Sequence, residues 1–266
     1  MVSRKNRTSS PDFSLQGRLA VVTGASAGIG RTLALGYAQA GAEVVLVSRR
    51  REPLEAVQRS IQALGGASHV VNADLSHLDQ IHSMGEQVRA ILARRKLPLI
   101  LVNNAGFGFT QAALEVSEND WDRVLDLQLK GTFFCTQTLG KMMIERGYGK
   151  IINLSSTWSL STDEGKSVYG LAKAAVSYLT KALSTEWAPL GVRVNAIAPT
   201  TILSDNTRKS LEENPARAKR LLGRIKLGRF GKPEDLLGAA LFLASPASDF
   251  VSGHTLFVDG GWNALG

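Results

Sequence analysis

Short apolar runs rich in β-branched residues recur between amphipathic stretches along almost the whole chain, and this rhythm constrains the fold more than any single motif. The runs are LAVVT (19–23), EVVLVS (43–48), SHVVNA (68–73), LILVNN (99–104), KIINLS (150–155) and VRVNAIA (192–198). Between them, apolar residues return at helical spacing over 29–40, 53–64, 77–95, 117–145 and 167–188. Several runs are apolar at every position rather than at alternate ones, as in strands covered on both faces. The expectation is a single α/β domain over 15–266, a doubly wound parallel sheet with helices on both faces, in which HTLFVDGG (254–261) supplies a seventh strand. Residues 1–14 read as a flexible basic tail. Residues 200–231, whose basic helical stretch breaks the rhythm, read as a mobile substrate lid. Pro233-Glu234-Asp235 predicts a helix start.

Apolar residues make up 44% of the 266, which excludes general disorder. The formal net charge of +8 is spread among acids rather than gathered into an aromatic-laced stripe, so it points to an anionic cofactor or substrate and not to nucleic acid. One competing reading, nucleic-acid binding through the basic tail, rests on residues 1–14 alone. The single cysteine, Cys135, lies in an apolar run, where a buried inert thiol is expected, and it excludes an intramolecular disulfide. No run approaches a membrane span and the first residues lack an apolar signal core, so a soluble, cytoplasmic protein is expected. His69, His77, His82 and His254 form no ligand-like cluster, and no metal is expected; each reads as a surface or loop histidine.

The first strand runs directly into Thr23-Gly24-Ala25-Ser26-Ala27-Gly28-Ile29-Gly30, which opens a helix. Glycines there permit a tight turn and close approach of a pyrophosphate, and the helix N-terminus supplies amides for the anion, although a glycine cluster alone also serves ordinary turns. The second strand ends in Ser48-Arg49-Arg50, where an NAD site carries an acid for the ribose hydroxyls. A guanidinium pairs with a 2′-phosphate and a carboxylate repels it, so NADP(H) is expected over NAD(H).

The extra residue between the first two glycines of this Rossmann-type loop resembles the short-chain dehydrogenase/reductase family, and the resemblance extends along nearly the whole chain. It implies that Asp74, beside Leu75, contacts the adenine, and that Asn104, Ala105 and Gly106 of the Asn-Asn-Ala-Gly run wall the cofactor site. By themselves, Asp74 is equally a helix cap and the second run an ordinary strand exit. Pro199, Thr200, Ile202 and Ser204 match the family's positions along the nicotinamide. The resemblance further implies a homodimer or homotetramer built on the helices at 117–145 and 167–188 and the last strand.

Tyr169 and Lys173 stand four apart in VYGLAKAAV, on one face of a helix. An ammonium and an oxidised nicotinamide beside a phenol favour the phenolate and bring its pKa down from about 10 toward a range useful for proton transfer. The pair is common on ordinary helices. Ser156, thirteen residues earlier at the end of the fifth strand, matches the family's spacing and is placed to hydrogen-bond the substrate oxygen. The implied reaction is hydride transfer between NADP(H) and an alcohol/ketone pair, with Tyr169 as acid/base and Lys173 on the ribose.

Two positions depart from the family. Gln128 stands where it has an asparagine that supports a helix distortion, whose main-chain carbonyl holds a relay water; that carbonyl survives the substitution. Thr200 replaces a glycine after Pro199, so the backbone is expected to follow a different path there. These two keep open a non-catalytic NADP-binding sensor. Trp158 is the expected wall of the substrate pocket, with Phe107 and Phe109 either as its apolar side or as core. Asp163, Glu164 and Lys166 read as solvated loop charges. The substrate class expected is a polyol, sugar-like compound or small ketone; the basic 208–226 stretch also admits a sugar acid or keto acid. Gly165-Lys166-Ser167 only imitates a phosphate loop, since Leu160 stands where that pattern needs glycine.

Overall fold

Seven parallel strands form one sheet in the order β3-β2-β1-β4-β5-β6-β7: β1 (Leu19–Thr23), β2 (Glu43–Ser48), β3 (Ser68–Asn72), β4 (Leu99–Asn103), β5 (Gly149–Leu154), β6 (Val192–Pro199) and β7 (Thr255–Val258). This computed structural model describes residues 11–93, 95 and 97–264. The proposed tail therefore lies mostly outside the described residues. Within it, the Asp12 carbonyl accepts from the Ala247 amide and Phe13 packs on Phe242.

The two faces of β1 and β4 explain the continuous apolar runs. Ala20, Val22, Ile100 and Val102 point into a core shared with Leu33 and Tyr37 of α1 (Gly28–Gln39), Leu54 and Ile61 of α2 (Arg51–Ala63), and Leu243 of α9 (Leu237–Ala244). Leu19, Val21, Leu99 and Leu101 point the other way, against Met84 and Val88 of α3 (Leu78–Ala93), Leu139 and Met142 of α5 (Thr132–Ile144), and Leu183 of α6 (Ser167–Trp187). Each side of every residue pair is removed from water, so alternation has nothing to select.

The expected helix at 117–145 is interrupted. It comprises α4 (Glu118–Leu125), a π-helical turn at Asp126–Gly131, and α5. At the end of the turn Gly131 lies so close to β3's exit that a Cβ would stand 2.3 Å from the Leu75 carbonyl oxygen, which only glycine tolerates. Residues 200–231 hold α7 (Asp205–Glu212), capped by Ser204, and α8 (Pro215–Arg224), capped by Asn214 with Pro215 in the first turn. Pro233 opens a 3-10 turn, Pro233–Leu236, before α9. The Asp235 carboxylate accepts from the Lys232 amide and pairs with Arg229, which tightens that turn.

The sheet's order reverses between β1 and β4, and the side chain of Thr23 joins their exits. Its hydroxyl donates to the Val102 carbonyl (3.2 Å) and accepts from the amides of Asn104 (2.9 Å) and Ala105 (3.0 Å). Asn104 returns the contact, donating from its side chain to the Thr23 carbonyl at 2.8 Å. Thr23→Val keeps the shape and deprives two amides of their acceptor, which is expected to cost about 2 kcal/mol of stability. Urea unfolding should show that loss, with Thr23→Ser close to the parent; an unchanged midpoint in Thr23→Val would refute the latch.

Candidate active site

A buried polar network positions the exits of β4 and β5. Asn103 donates from its side chain to Thr136 Oγ1 (2.7 Å) and Asn153 Oδ1 (2.8 Å), and Asn153 donates to Thr180 Oγ1 (2.9 Å). All four residues are buried, so each satisfied bond fixes α5 and α6 against the sheet. One residue beyond β5, Ser155 Oγ donates to the Lys173 carbonyl at 3.1 Å. These bonds bring Ser156, at the strand exit, to the side of α6 that carries Tyr169 and Lys173.

Ser156 is buried, and its hydroxyl accepts from the Trp158 amide at 3.2 Å. Burial pushes the Tyr169 hydroxyl up to about 12, and the Ser156 hydroxyl beside it opposes that shift. Lys173 Nζ lies 5.6 Å from the Tyr169 ring centroid and donates to the Leu154 carbonyl at 2.9 Å. Desolvation brings the Lys173 ammonium down to about 8. The serine, tyrosine and lysine singled out from spacing thus form one cluster at the carboxyl edge of the sheet.

Gln128 sits in the π turn, fully buried, with Nε2 donating to the Phe107 carbonyl at 3.0 Å. Its Oε1 has no hydrogen-bond partner among the described residues. Its main-chain carbonyl accepts from Thr132 Oγ1 at 2.9 Å. The distortion expected with asparagine is therefore present with glutamine. Thr200 takes no left-handed conformation, since among the described residues every positive φ belongs to glycine; its Oγ1 is buried and unpartnered.

At the other end of the edge, Gly24 has φ +66°, and a Cβ on Gly30 would stand 2.3 Å from the Gly24 carbonyl oxygen and 2.5 Å from Asn104 Nδ2. Ala27 gives α1 no side-chain cap, so its first-turn amides at the helix's positive end have no side-chain acceptor, a donor set that fits a pyrophosphate. Gly28 lies against Ser204, with 3.4 Å between a built Cβ and the serine Cβ. Ser48 Oγ accepts from the Arg50 amide at 3.2 Å, and Arg49 and Arg50 are exposed. Asp74 takes the capping role that its position suggested. Its carboxylate accepts from the Ser76 amide and hydroxyl, capping the turn, and stands 3.5 Å from Arg49. Burial raises the Asp74 carboxyl, but the Ser76 hydrogen bonds and Arg49 outweigh it and hold it below the ordinary range. Leu75 is buried beside it; Ala105 and Gly106 follow Asn104 along the rim, and Pro199 and Ile202 are buried where β6 exits, Ile202 bridging to Gly231.

Several expectations change. Phe109 is core, packed with Val124, Val168 and Ala172, with Phe107 and Tyr169 against that cluster. His69 belongs to β3 and meets Glu43 at 2.5 Å, so it is neither loop nor fully exposed. Lys166 is buried and Asp163, half-buried, pairs with Arg220 of α8; of those three loop charges only Glu164 is exposed. Cys135 is buried as expected, which pushes its thiol up to about 12. Trp158 does stand at the edge, but with a partner that sequence reasoning missed. Trp262 meets it edge to face at 5.2 Å, and the Arg224 guanidinium lies 4.1 Å from the Trp262 ring centroid. The available signal was its position just past the last strand, where chain exits return to the carboxyl edge. Among the described residues, no group of His, Cys, Asp and Glu could hold a metal, and no helix is long and apolar enough to cross a membrane.

Residues 24–263 match the family model described as enoyl-(acyl carrier protein) reductase, adh_short_C2. The chain is 42% identical over 253 residues to 2-dehydro-3-deoxy-D-gluconate 5-dehydrogenase of Escherichia coli K12, covering 95% of this chain and 98% of that one. It is 36% identical over 253 residues to galactitol 2-dehydrogenase (L-tagatose-forming) of Cereibacter sphaeroides, covering 94% and 96%. The crystal structure of a gluconate 5-dehydrogenase from Burkholderia cenocepacia J2315, in complex with NADP and tartrate, superposes with a TM-score of 0.89 at 36% identity, covering 96% of this chain and 99% of that one. With this fold, this glycine loop and these relatives, the chain belongs to the short-chain dehydrogenase/reductase family and is an NAD(P)-dependent oxidoreductase.

Proposed function

We propose that this chain is an NADP(H)-dependent dehydrogenase that interconverts a secondary alcohol and a ketone on a short, polyhydroxylated, sugar-like carbon chain. The observation that carries the reading is the cluster of Ser156, Tyr169 and Lys173 at the sheet's carboxyl edge. The sugar-like substrate is supported by the names of the relatives, which act on a deoxygluconate, gluconate and galactitol. NADP over NAD is supported by exposed Arg49 and Arg50 after β2, which ends in Ser48 rather than in an acid, although Asp74 from the β3 exit meets Arg49 at 3.5 Å.

Ser26, Ala27, Gly28 and Ile29 would hold the pyrophosphate over the α1 N-terminus, with Gly24 and Gly30 leaving it room. Ser48, Arg49 and Arg50 would take the 2′-phosphate, Asp74 and Leu75 the adenine, Asn104, Ala105 and Gly106 the rim, Lys173 the ribose hydroxyls, and Pro199, Thr200, Ile202 and Ser204 the nicotinamide. The bound nicotinamide supplies or accepts the hydride at the carbinol carbon. In oxidation, the Tyr169 phenolate takes the proton of the substrate hydroxyl; in reduction, the phenol returns it to the forming alkoxide. Ser156 donates to the same oxygen and stabilises the charge that develops on it. Lys173, as the ammonium, favours the phenolate against the desolvation that raises it. The carbonyl of Gln128 remains in the π turn for a relay water, shared with Thr132. The helices α7 and α8 act as a lid, held by the Arg220–Asp163 pair and by Arg224 on Trp262. Apolar side chains exposed on α4 (Trp121) and α6 (Leu171, Tyr178) support a homodimer or homotetramer.

A panel of polyols, sugar acids and ketones followed by NADP(H) absorbance tests the reading. Tyr169→Phe is expected to lower kcat by about 10²- to 10⁴-fold while NADPH binding, read by fluorescence, is kept. Equal turnover would refute the tyrosine's role, and tight binding without any turnover in the parent would make the protein a sensor. Arg49→Ala should lower kcat/KM for NADP by about 10- to 100-fold and leave NAD nearly untouched; a parallel fall with both cofactors would refute phosphate recognition by Arg49. Gln128→Asn should change turnover by less than about tenfold, whereas a gain of several orders of magnitude would mean that glutamine breaks the relay.

A further inference from the structure

Lys166 is a buried cation with no carboxylate partner among the described residues, three positions before Tyr169 in the chain. Its Nζ donates to the Phe109 carbonyl (2.8 Å) and to Thr110 Oγ1 (2.6 Å), and lies 5.3 Å from the Tyr169 ring centroid. The ammonium is therefore held beside the same ring that Lys173 approaches at 5.6 Å. An ammonium has three N–H donors, and these contacts use two of them. The carboxylate nearest in sequence, Asp163, favours the ammonium from a distance but is paired with Arg220, and Arg217 adds a second positive charge that disfavours it. A buried charge without a counter-ion in contact is costly, and desolvation draws this ammonium down to about 8. The loops that meet here are stitched independently, since the Gln111 amide donates to the Gly165 carbonyl at 3.0 Å. The charge on Lys166 is thus surplus to loop docking.

We propose that Lys166 is the anchor for the carboxylate of a sugar-acid substrate, receiving it while Tyr169 and Ser156 hold the reacting hydroxyl further along the same carbon chain. The proposal rests on the dehydrogenase reading above and adds to it the class of substrate, an aldonic or deoxyaldonic acid rather than a neutral polyol. Thr110 and the Phe109 carbonyl orient the ammonium, and the free N–H accompanies the charge toward the anion. Lys166 is a binding residue for this substrate and takes no part in the proton transfer.

The test compares D-gluconate with the neutral polyols D-glucitol and galactitol, using NADP⁺ and the full chain. In the parent, kcat/KM should favour the acid. In Lys166→Gln, which keeps side-chain donors for Phe109 and Thr110 but removes the charge, the acid-to-polyol ratio of kcat/KM should fall by about 10- to 100-fold, chiefly through KM. Lys166→Arg should recover part of that ratio. Lys166→Met serves as the second neutral variant, and thermal melting selects the variants that fold. An unchanged ratio would overturn the proposal, as would a parent that oxidises polyols and leaves D-gluconate untouched; in that case the hydride-transfer reading survives. If the parent turns over none of these compounds, the sugar-like substrate reading fails separately. Calorimetric titration of D-gluconate into the NADP⁺-loaded parent and Lys166→Gln then decides the anchor: binding lost with the charge supports it, and equal or absent binding overturns it.

Discussion

Covering a parallel sheet on both faces is the constraint on which the rest of this structure depends. Residues such as Val21 and Val22 are each buried, one against α3 and α5 and the other against α1 and α9, so the interior of the sheet offers no place for exposed polar chemistry. In its central strands polar groups are paired with one another, as in the Asn103, Thr136, Asn153 and Thr180 network. Everything reactive is displaced to the strand ends. At the carboxyl ends the order reverses between β1 and β4, which opens the crevice where Thr23, Asn104 and the glycine loop meet.

The groups at that edge share an electrostatic condition. Burial drives the Tyr169 phenol up to about 12 and the Lys166 and Lys173 ammoniums down to about 8, in each case toward the neutral form. Lys166 and Lys173 are buried without any ligand, and Tyr169 is partly so. A bound anion and a cationic ring reverse those shifts by supplying the charges that water no longer screens, so binding and the protonation states needed for proton transfer are coupled. The two tryptophans meet beside this edge, with Arg224 of α8 over both rings.

Much of this was legible in the chain. The bounds of β1 to β6 fell within a residue of the apolar runs, because an interior strand of a doubly covered sheet has a composition that few other elements share, while β7 ends at Val258, three residues short of its run. The π turn was legible only as an expected distortion around Gln128; its register depends on Gly131 touching the Leu75 carbonyl, a contact between positions far apart in sequence. Phe109 was ambiguous because an aromatic near a strand exit suits a pocket or a core equally, and only the approach of Val124, Val168 and Ala172 assigns it to the core. Lys166 was misread as a solvated charge, since loop lysines are mostly exposed and nothing local announces the carbonyl of Phe109 above it.

By itself the sequence determined the element order, the cofactor loop and the spacing of Ser156, Tyr169 and Lys173, because these follow from local periodicity and from glycines that no other residue replaces. Only the tertiary structure decided which charges are buried, which aromatic rings face each other and which cation stands beside the tyrosine. Burial is a property of distant segments brought together: Lys166 loses its water to a loop more than fifty residues away, and Trp158 meets a ring from the opposite end of the chain.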